Sequence, residues 1–117
     1  MRSRILLAGL GLVLAVGAVL ALDGFWLEPS SLRLRHYDVA VDAPFLKGMT
    51  IAVISDLHAG APYIDEAKID KVVALTNAAH PDIVLLTGDY VAETVMGGHP
   101  MAPEMVVAHL KALHAPL

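Results

Sequence analysis

The hydrophobic and polar positions divide the chain into one long apolar stretch followed by shorter elements of changing periodicity. Residues 5–22 are 18 consecutive residues without a charge or a strongly polar side chain. A helix of this length measures roughly 27 Å, at about 1.5 Å per residue, against a hydrocarbon thickness of about 30 Å for a bilayer. The pattern therefore predicts one transmembrane helix at the N-terminus.

The charges that flank this stretch indicate its orientation. Arg2 and Arg4 precede it, whereas Asp23 and Glu28 follow it. Because cytoplasmic flanks are enriched in Lys and Arg, we expect a cytoplasmic N-terminus and a downstream domain on the opposite side. A cleaved signal peptide has the same charged start and apolar run, and it is the alternative to an uncleaved anchor.

Downstream of the stretch, hydrophobic periodicity alternates between strand and helix spacing. Asp23-Gly24 is predicted to form a turn, and Pro29 to stop any helix that leaves the membrane. His80-Pro81 ends a helical pattern, because the residue before a proline avoids the α region. The predicted elements are strands at residues 32–41, 49–54 and 82–87 and helices at residues 64–79 and 104–114.

Residues 49–89 thus show the order strand, helix, strand, which is typical of a βαβ unit with parallel strands. The predicted organisation has three parts. Residues 1–23 form the transmembrane anchor or signal segment, residues 24–48 a linker with a first strand, and residues 49–117 an α/β domain.

Composition excludes several kinds of chemistry. The chain has no cysteine, so disulfides, zinc–thiolate sites and thiol nucleophiles are excluded. The net charge of −4 is unevenly distributed, because residues 36–117 carry four Lys against ten acidic residues. An acidic domain lacks the basic surface that nucleic-acid binding requires, so no nucleic-acid partner is expected.

Candidate chemistry lies where the two strands of the βαβ unit end. Asp56 and His58 follow the first strand, and Gly88-Asp89 follows the second. Parallel strands bring their carboxyl ends to the same edge of a sheet, where ligands of open α/β sheets bind. Two carboxylates and one imidazole suit a divalent ion such as Mn, Fe or Zn. Taken singly, Asp56 as a helix cap and Asp89 as a turn residue are the structural alternatives.

The two motifs that contain these residues resemble those of calcineurin-like metallophosphoesterases, most closely the bacterial membrane-anchored branch. The first is Ser-Asp-Leu-His at residues 55–58, and the second is Pro-Asp-Ile-Val-Leu-Leu-Thr-Gly-Asp-Tyr-Val at residues 81–91. The apolar N-terminus and Trp-x-Glu-Pro at residues 26–29 are also similar to that branch. The resemblance implies an α/β chain that forms the N-terminal part of a four-layer αββα metallophosphoesterase fold, preceded by one transmembrane helix.

By this resemblance, Asp56 and His58 hold a first divalent metal ion, and Asp89 bridges it to a second. The implied activity is hydrolysis of a phosphomonoester or phosphodiester by a hydroxide activated between two ions about 3.5–4 Å apart, without a protein nucleophile. The expected partners are a phosphate-ester substrate, for which the tether favours a lipid-linked ester, and a membrane crossed by residues 5–22. The expected location is the bacterial inner membrane, single-pass, with the C-terminal domain on the extracytoplasmic side.

The resemblance is incomplete. The family pattern continues with Gly-Asn-His-Asp/Glu and Gly-His-x-His motifs, and residues 1–117 contain neither. Three further histidines, His99, His109 and His114, match no ligand position of the family, and His36 is interpreted as a residue of the first predicted strand. The resemblance therefore implies an N-terminal fragment that is inactive or nearly so by itself. The alternative is a non-catalytic, membrane-anchored α/β protein that binds or interacts with a partner.

Overall fold

The computed structural model describes residues 2–117. Contacts within the chain divide it into two units, one that ends at Leu32 and one that begins at Arg33. The first unit is helical, and the second contains a parallel two-stranded sheet with helices. The predicted α/β class with a parallel sheet and an N-terminal apolar helix is therefore confirmed.

The N-terminal unit is one continuous helical segment. Helix α1 (Arg2–Leu22) continues into a π-helical turn (Asp23–Leu27) and then into the short helix α2 (Glu28–Ser30). Within this segment, Leu6–Leu27 has a mean hydropathy of 2.3, and its length and composition are sufficient to cross a membrane.

The helix continues through two positions where the sequence predicted an interruption. Asp23-Gly24 forms no turn, and Pro29 lies inside a helical segment that ends at Ser30. The next residue, Ser31, is extended, with a φ of −73° and a ψ of 151°. In the preceding π-helical turn, the N–H of Glu28 donates to the carbonyl oxygen of Asp23, five residues back.

The strand predicted at residues 32–41 is absent from the structure. Between residues 31 and 50, the described regular structure is a single 3-10 turn at Pro44–Leu46. Alternation predicts only which side a residue faces, whereas a strand also requires a hydrogen-bonded neighbour. The two strands of the described structure pair with each other, so this segment has no neighbour there. The domain boundaries after residues 23 and 48 stay a prediction.

The βαβ unit forms as the sequence predicted. Strands β1 (Ile51–Ile54) and β2 (Ile83–Leu86) are adjacent and parallel, with Ile51 opposite Ile83 and Val53 opposite Leu85. Helix α3 (Glu66–Ala78) connects them. Its N-cap is Asp65, whose carboxylate accepts the N–H of Lys68 at 2.8 Å, which satisfies one of the unpaired donors of the first turn.

A small core joins the helices to the loop that follows β1. Its buried members are Leu57, Ala59, Ile69 of α3 and Val106 of helix α4 (Pro103–Leu110). Lys68 of α3 is only 9% exposed although its side chain is charged. Its stem is long enough to lie along apolar neighbours, so a pattern of charge underestimates its burial.

Helix α4 ends earlier than the pattern at residues 104–114 predicted. The side-chain amide of Asn77 donates to the carbonyl oxygen of Ala112, and its side-chain oxygen accepts the N–H of His114, both at 2.8 Å. These bonds tie the chain after α4 to α3. A helix that reached residue 114 would pair the His114 N–H internally, so its bond to Asn77 accounts for the early end of α4.

One face of the sheet is exposed in the described part of the chain. Side chains alternate along a strand, so Ile51 and Val53 share this face with their partners Ile83 and Leu85. Val53 is 61% exposed, and Ile51 and Leu85 are each 44% exposed. We call these four residues the open sheet face.

Candidate metal centre

The backbone pairing of the two strands continues into the loops that carry the candidate ligands. Beyond β1 and β2, the N–H of Asp56 donates to the carbonyl oxygen of Gly88 at 3.2 Å. The N–H of His58 donates to the main-chain carbonyl oxygen of Asp89 at 3.0 Å. The N–H of Ala59 then donates to Tyr90 at 2.8 Å. The two loops are therefore held side by side, which places the residues after both strands at one edge of the sheet.

All three candidate ligands have a left-handed backbone. The φ angles are +52° at Asp56, +46° at His58 and +55° at Asp89, and Gly88 has a φ of +123°. Asp and His tolerate this region better than most residues with a side chain, but it is still sparsely populated. Such conformations persist only where the surroundings fix them, and they cluster at functional sites.

The convergence of Asp56 and His58 does not come from strand alternation. On an extended backbone, side chains two residues apart would point to the same side. The strand ends at Ile54, and the backbone at both residues is left-handed instead. Leu57, between them, is buried in the core at 7% exposure. The two polar side chains are thus presented together by a structured loop that Leu57 anchors.

The three side chains converge. One ligand atom from each of Asp56, His58 and Asp89 lies within 4.8 Å of the others. Nε2 of His58 is 3.3 Å from Oδ2 of Asp89, and these side chains are 46% and 54% exposed. The hydroxyl of Ser55 donates to Oδ2 of Asp56. Ser55 was not among the candidate residues, and the sequence signal for it is its position beside Asp56.

The donor set fits a divalent ion. When two donor atoms bind one ion through bonds of about 2.1 Å, they lie about 3.0 Å apart at a right angle and about 3.4 Å apart at a tetrahedral angle. The distance between Nε2 of His58 and Oδ2 of Asp89 falls within that range. Imidazole and carboxylate donors together suit Mn, Fe or Zn. Their half-exposed position leaves coordination positions open to solvent or to a ligand.

The other histidines lie outside this group. Among residues 2–117, the side chains that the structure brings together as a possible metal site are those of Asp56, His58 and Asp89. This group does not include His36, His99, His109 or His114. His109 of α4 instead contacts two carboxylates of α3, those of Asp70 and Glu66. No sequence motif indicates that Asp70 or Glu66 has a partner on α4.

Comparison with known proteins adds an independent observation. The profile of the family described as calcineurin-like phosphoesterase matches residues 49–116. UDP-2,3-diacylglucosamine pyrophosphatase LpxG of Chlamydia trachomatis is 36% identical over 93 residues, which are 78% of this chain and 27% of that protein. A transmembrane protein with metallophosphoesterase domain of Danio rerio is 29% identical over 80 residues, which are 67% of this chain and 18% of that protein.

A protein of Caenorhabditis elegans, F40B5.2, is 39% identical over 64 residues, which are 55% of this chain and 13% of that protein. The matched segments therefore span less than a third of the length of these relatives. No solved structure matches the chain.

Proposed function

Because the chain belongs to the calcineurin-like phosphoesterase family, we propose that it is the metal-binding N-terminal part of a membrane-anchored phosphoesterase. The proposed reaction is hydrolysis of a phosphomonoester or phosphodiester. The observation that carries the proposal is the convergence of Asp56, His58 and Asp89 where the two parallel strands end. This is the edge at which open α/β sheets bind their ligands.

Each residue has a defined part in this proposal. A divalent ion at the site would lower the pKa of a water molecule and stabilise negative charge on the phosphate oxygens. Asp56 and Asp89 supply anionic oxygen donors, and His58 supplies Nε2. Ser55 holds one oxygen of Asp56 by its hydrogen bond and leaves the other oxygen to bind. A second ion would share Asp89 and needs donors beyond these three residues.

The proposed substrate is a lipid-linked phosphate ester. Two observations support this choice. One relative is named as a pyrophosphatase of a diacylated sugar nucleotide. In addition, the segment Leu6–Leu27 could anchor the chain in a membrane, which keeps the domain near lipid headgroups.

The proposed location is a bacterial inner membrane, crossed once, with the domain on the extracytoplasmic side. The arginines at positions 2 and 4 and the acidic Asp23 and Glu28 on the other flank support this orientation.

Metal binding is the direct test of the proposed centre. The full chain, purified in detergent, is titrated with Mn²⁺ in a calorimeter, and we expect about one ion per chain. Asp89→Asn and His58→Ala should each abolish measurable binding. Asp38→Asn, which removes the same charge from an exposed residue outside the site, should bind as the wild type does. Unchanged affinity in both ligand variants would contradict the assignment.

Turnover separates the enzyme from the non-catalytic alternative. Because the three donors account for one ion, we expect little or no hydrolysis of bis(p-nitrophenyl) phosphate by this chain alone with Mn²⁺. Robust turnover that Asp89→Asn removes would contradict that expectation and support a complete centre. The open sheet face supports the alternative of an anchored binding protein. A folded wild-type chain that binds no Mn²⁺ would favour it.

A further inference from the structure

Two glycines outside the candidate ligands meet through main-chain atoms beside the ligand loop. Gly60 lies two residues after His58, and Gly98 lies on the loop that precedes α4. The N–H of His99 donates to the carbonyl oxygen of Gly60 at 2.7 Å. We call this meeting of the two loops the Gly60–Gly98 contact.

Neither glycine has space for a side chain. A Cβ on Gly60 would lie 2.7 Å from the carbonyl oxygen of His99 and 3.1 Å from the nitrogen of Met101. A Cβ on Gly98 would overlap the carbonyl oxygen of Gly60 and lie 2.9 Å from Cγ2 of Val95. The obstructing atoms are largely backbone, which cannot move aside as a flexible side chain can. The contact itself therefore requires glycine at both positions.

The contact bears directly on the loop that presents His58. The N–H of Ala61 donates to the carbonyl oxygen of His58 at 2.9 Å, so the turn that contains Gly60 begins at the candidate ligand. On the other edge, the N–H of Ala59 donates to Tyr90, which follows Asp89. Residues 59–60 are thus held by the second ligand loop on one side and by the loop of Gly98 on the other.

We propose that the Gly60–Gly98 contact positions His58 for metal binding. The left-handed backbone of His58, with a φ of +46°, is stable only while its surroundings fix it. If the contact opens, the turn after His58 loses the support of the loop that carries Gly98, and Nε2 departs from the oxygens of Asp56 and Asp89. Gly60 and Gly98 touch no ligand atom and act as positioning residues. This inference rests on the proposed metal centre.

The test compares two glycine-to-alanine variants of the full chain in detergent by calorimetric titration with Zn²⁺. Gly98→Ala places a Cβ against the carbonyl oxygen of Gly60, and because the φ of Gly98 is not positive, alanine adds no backbone strain of its own. We expect the Zn²⁺ affinity of this variant to fall about tenfold or more, which is the usual effect of removing a group that orients a metal ligand. Gly48→Ala is the matched control. Its φ of +81° makes alanine unfavourable, but no atom lies within 4 Å of the added Cβ, so its affinity should equal that of the wild type.

A measurement on the wild-type chain covers the case in which Gly98→Ala fails to fold. Coupling between two events is reciprocal, so a contact that strengthens Zn²⁺ binding must itself be strengthened by Zn²⁺. Hydrogen exchange of the His99 amide, which donates to Gly60, should therefore slow by about the same factor when Zn²⁺ saturates the chain. The amide of Ala112, which donates to His109, should change less.

The outcomes distinguish the inference from the proposed function. The positioning role alone is overturned if a folded Gly98→Ala chain binds Zn²⁺ with wild-type affinity. It is also overturned if saturating Zn²⁺ leaves the exchange rate of the His99 amide unchanged. A wild-type chain that binds no Zn²⁺ overturns the metal centre and the inference together. Weakened binding in Gly98→Ala, unchanged binding in Gly48→Ala and a slowed His99 amide establish it.

Discussion

Nδ1 of His109 on α4 lies 2.5 Å from Oδ1 of Asp70 on α3. Nε2 of the same ring lies 3.4 Å from Oε2 of Glu66, one turn earlier on α3. A single imidazole thus bridges two carboxylates of the neighbouring helix. The hydrogen bond to Asp70 raises the pKa of His109, the charges of Asp70 and Glu66 add to the rise, and desolvation opposes it.

This bridge makes the packing of α3 against α4 dependent on pH. Because the pKa of His109 is higher in the folded chain, its contribution to stability is complete below about pH 6.5, the unfolded value. The contribution is lost as the pH rises through the folded pKa. We expect His109→Gln to lower the free energy of unfolding more at pH 5.5 than at pH 9, measured by urea denaturation followed by circular dichroism. His36→Gln, at an exposed position, is the control, and an equal effect of His109→Gln at both pH values would exclude the mechanism.

Two adjacent valines of α4 provide a matched test of the core. Val106 is 1% exposed, whereas Val107 is 51% exposed. Val106→Ala should reduce the free energy of unfolding by about 2–3 kcal/mol, from two lost methyl groups and the cavity they leave. Val107→Ala should change it by less than about 0.5 kcal/mol. Urea denaturation of both variants checks this, and similar losses would show that α4 is not packed as described.

The N-cap of α3 gives a smaller, specific effect. Asp65→Ala removes the acceptor of the Lys68 N–H and should destabilise the chain by about 1 kcal/mol. Asp65→Ser retains a capping oxygen and should lose only a few tenths of that amount. The same denaturation experiment distinguishes the two variants. Equal losses would indicate that the charge of Asp65, rather than its hydrogen bond, matters.

The proposed orientation can be tested with introduced cysteines, because the chain has none of its own. Glu93→Cys places a thiol on an exposed residue of the domain, and Ser3→Cys places one before the apolar stretch. In intact bacterial cells, a membrane-impermeant maleimide should label Glu93→Cys and leave Ser3→Cys unlabelled until the cells are lysed. The reverse pattern would contradict an extracytoplasmic domain.

The parts of the fold that depend on local periodicity were predictable. Three patterns predict the βαβ unit: the aliphatic run before Asp56, the helical spacing between Asp65 and His80, and the second aliphatic run before Gly88. Topology then brings Asp56, His58 and Asp89 to one edge, and the structure places their side chains together. Spacing was informative here because parallel strands joined by one crossover must end on the same side.

The other features depend on contacts that the sequence does not display. The left-handed backbone at the three candidate ligands arises from pairing between two loops more than 30 residues apart. The bridge from His109 to Asp70 joins two helices whose mutual approach no motif specifies. The segment at residues 32–41 shows the converse, because its alternation resembles a strand but no neighbouring strand is present in the described chain.

The open sheet face has a practical consequence for handling the protein. Each strand of the sheet has a hydrogen-bonded neighbour on one side only within the described residues, and aliphatic side chains such as Val53 and Leu85 border these free edges. Exposed apolar strands with free edges are templates for intermolecular pairing. Aggregation through these edges will therefore limit the usable concentration of this chain before thermal unfolding does, and a holdase chaperone should keep it monodisperse in solution.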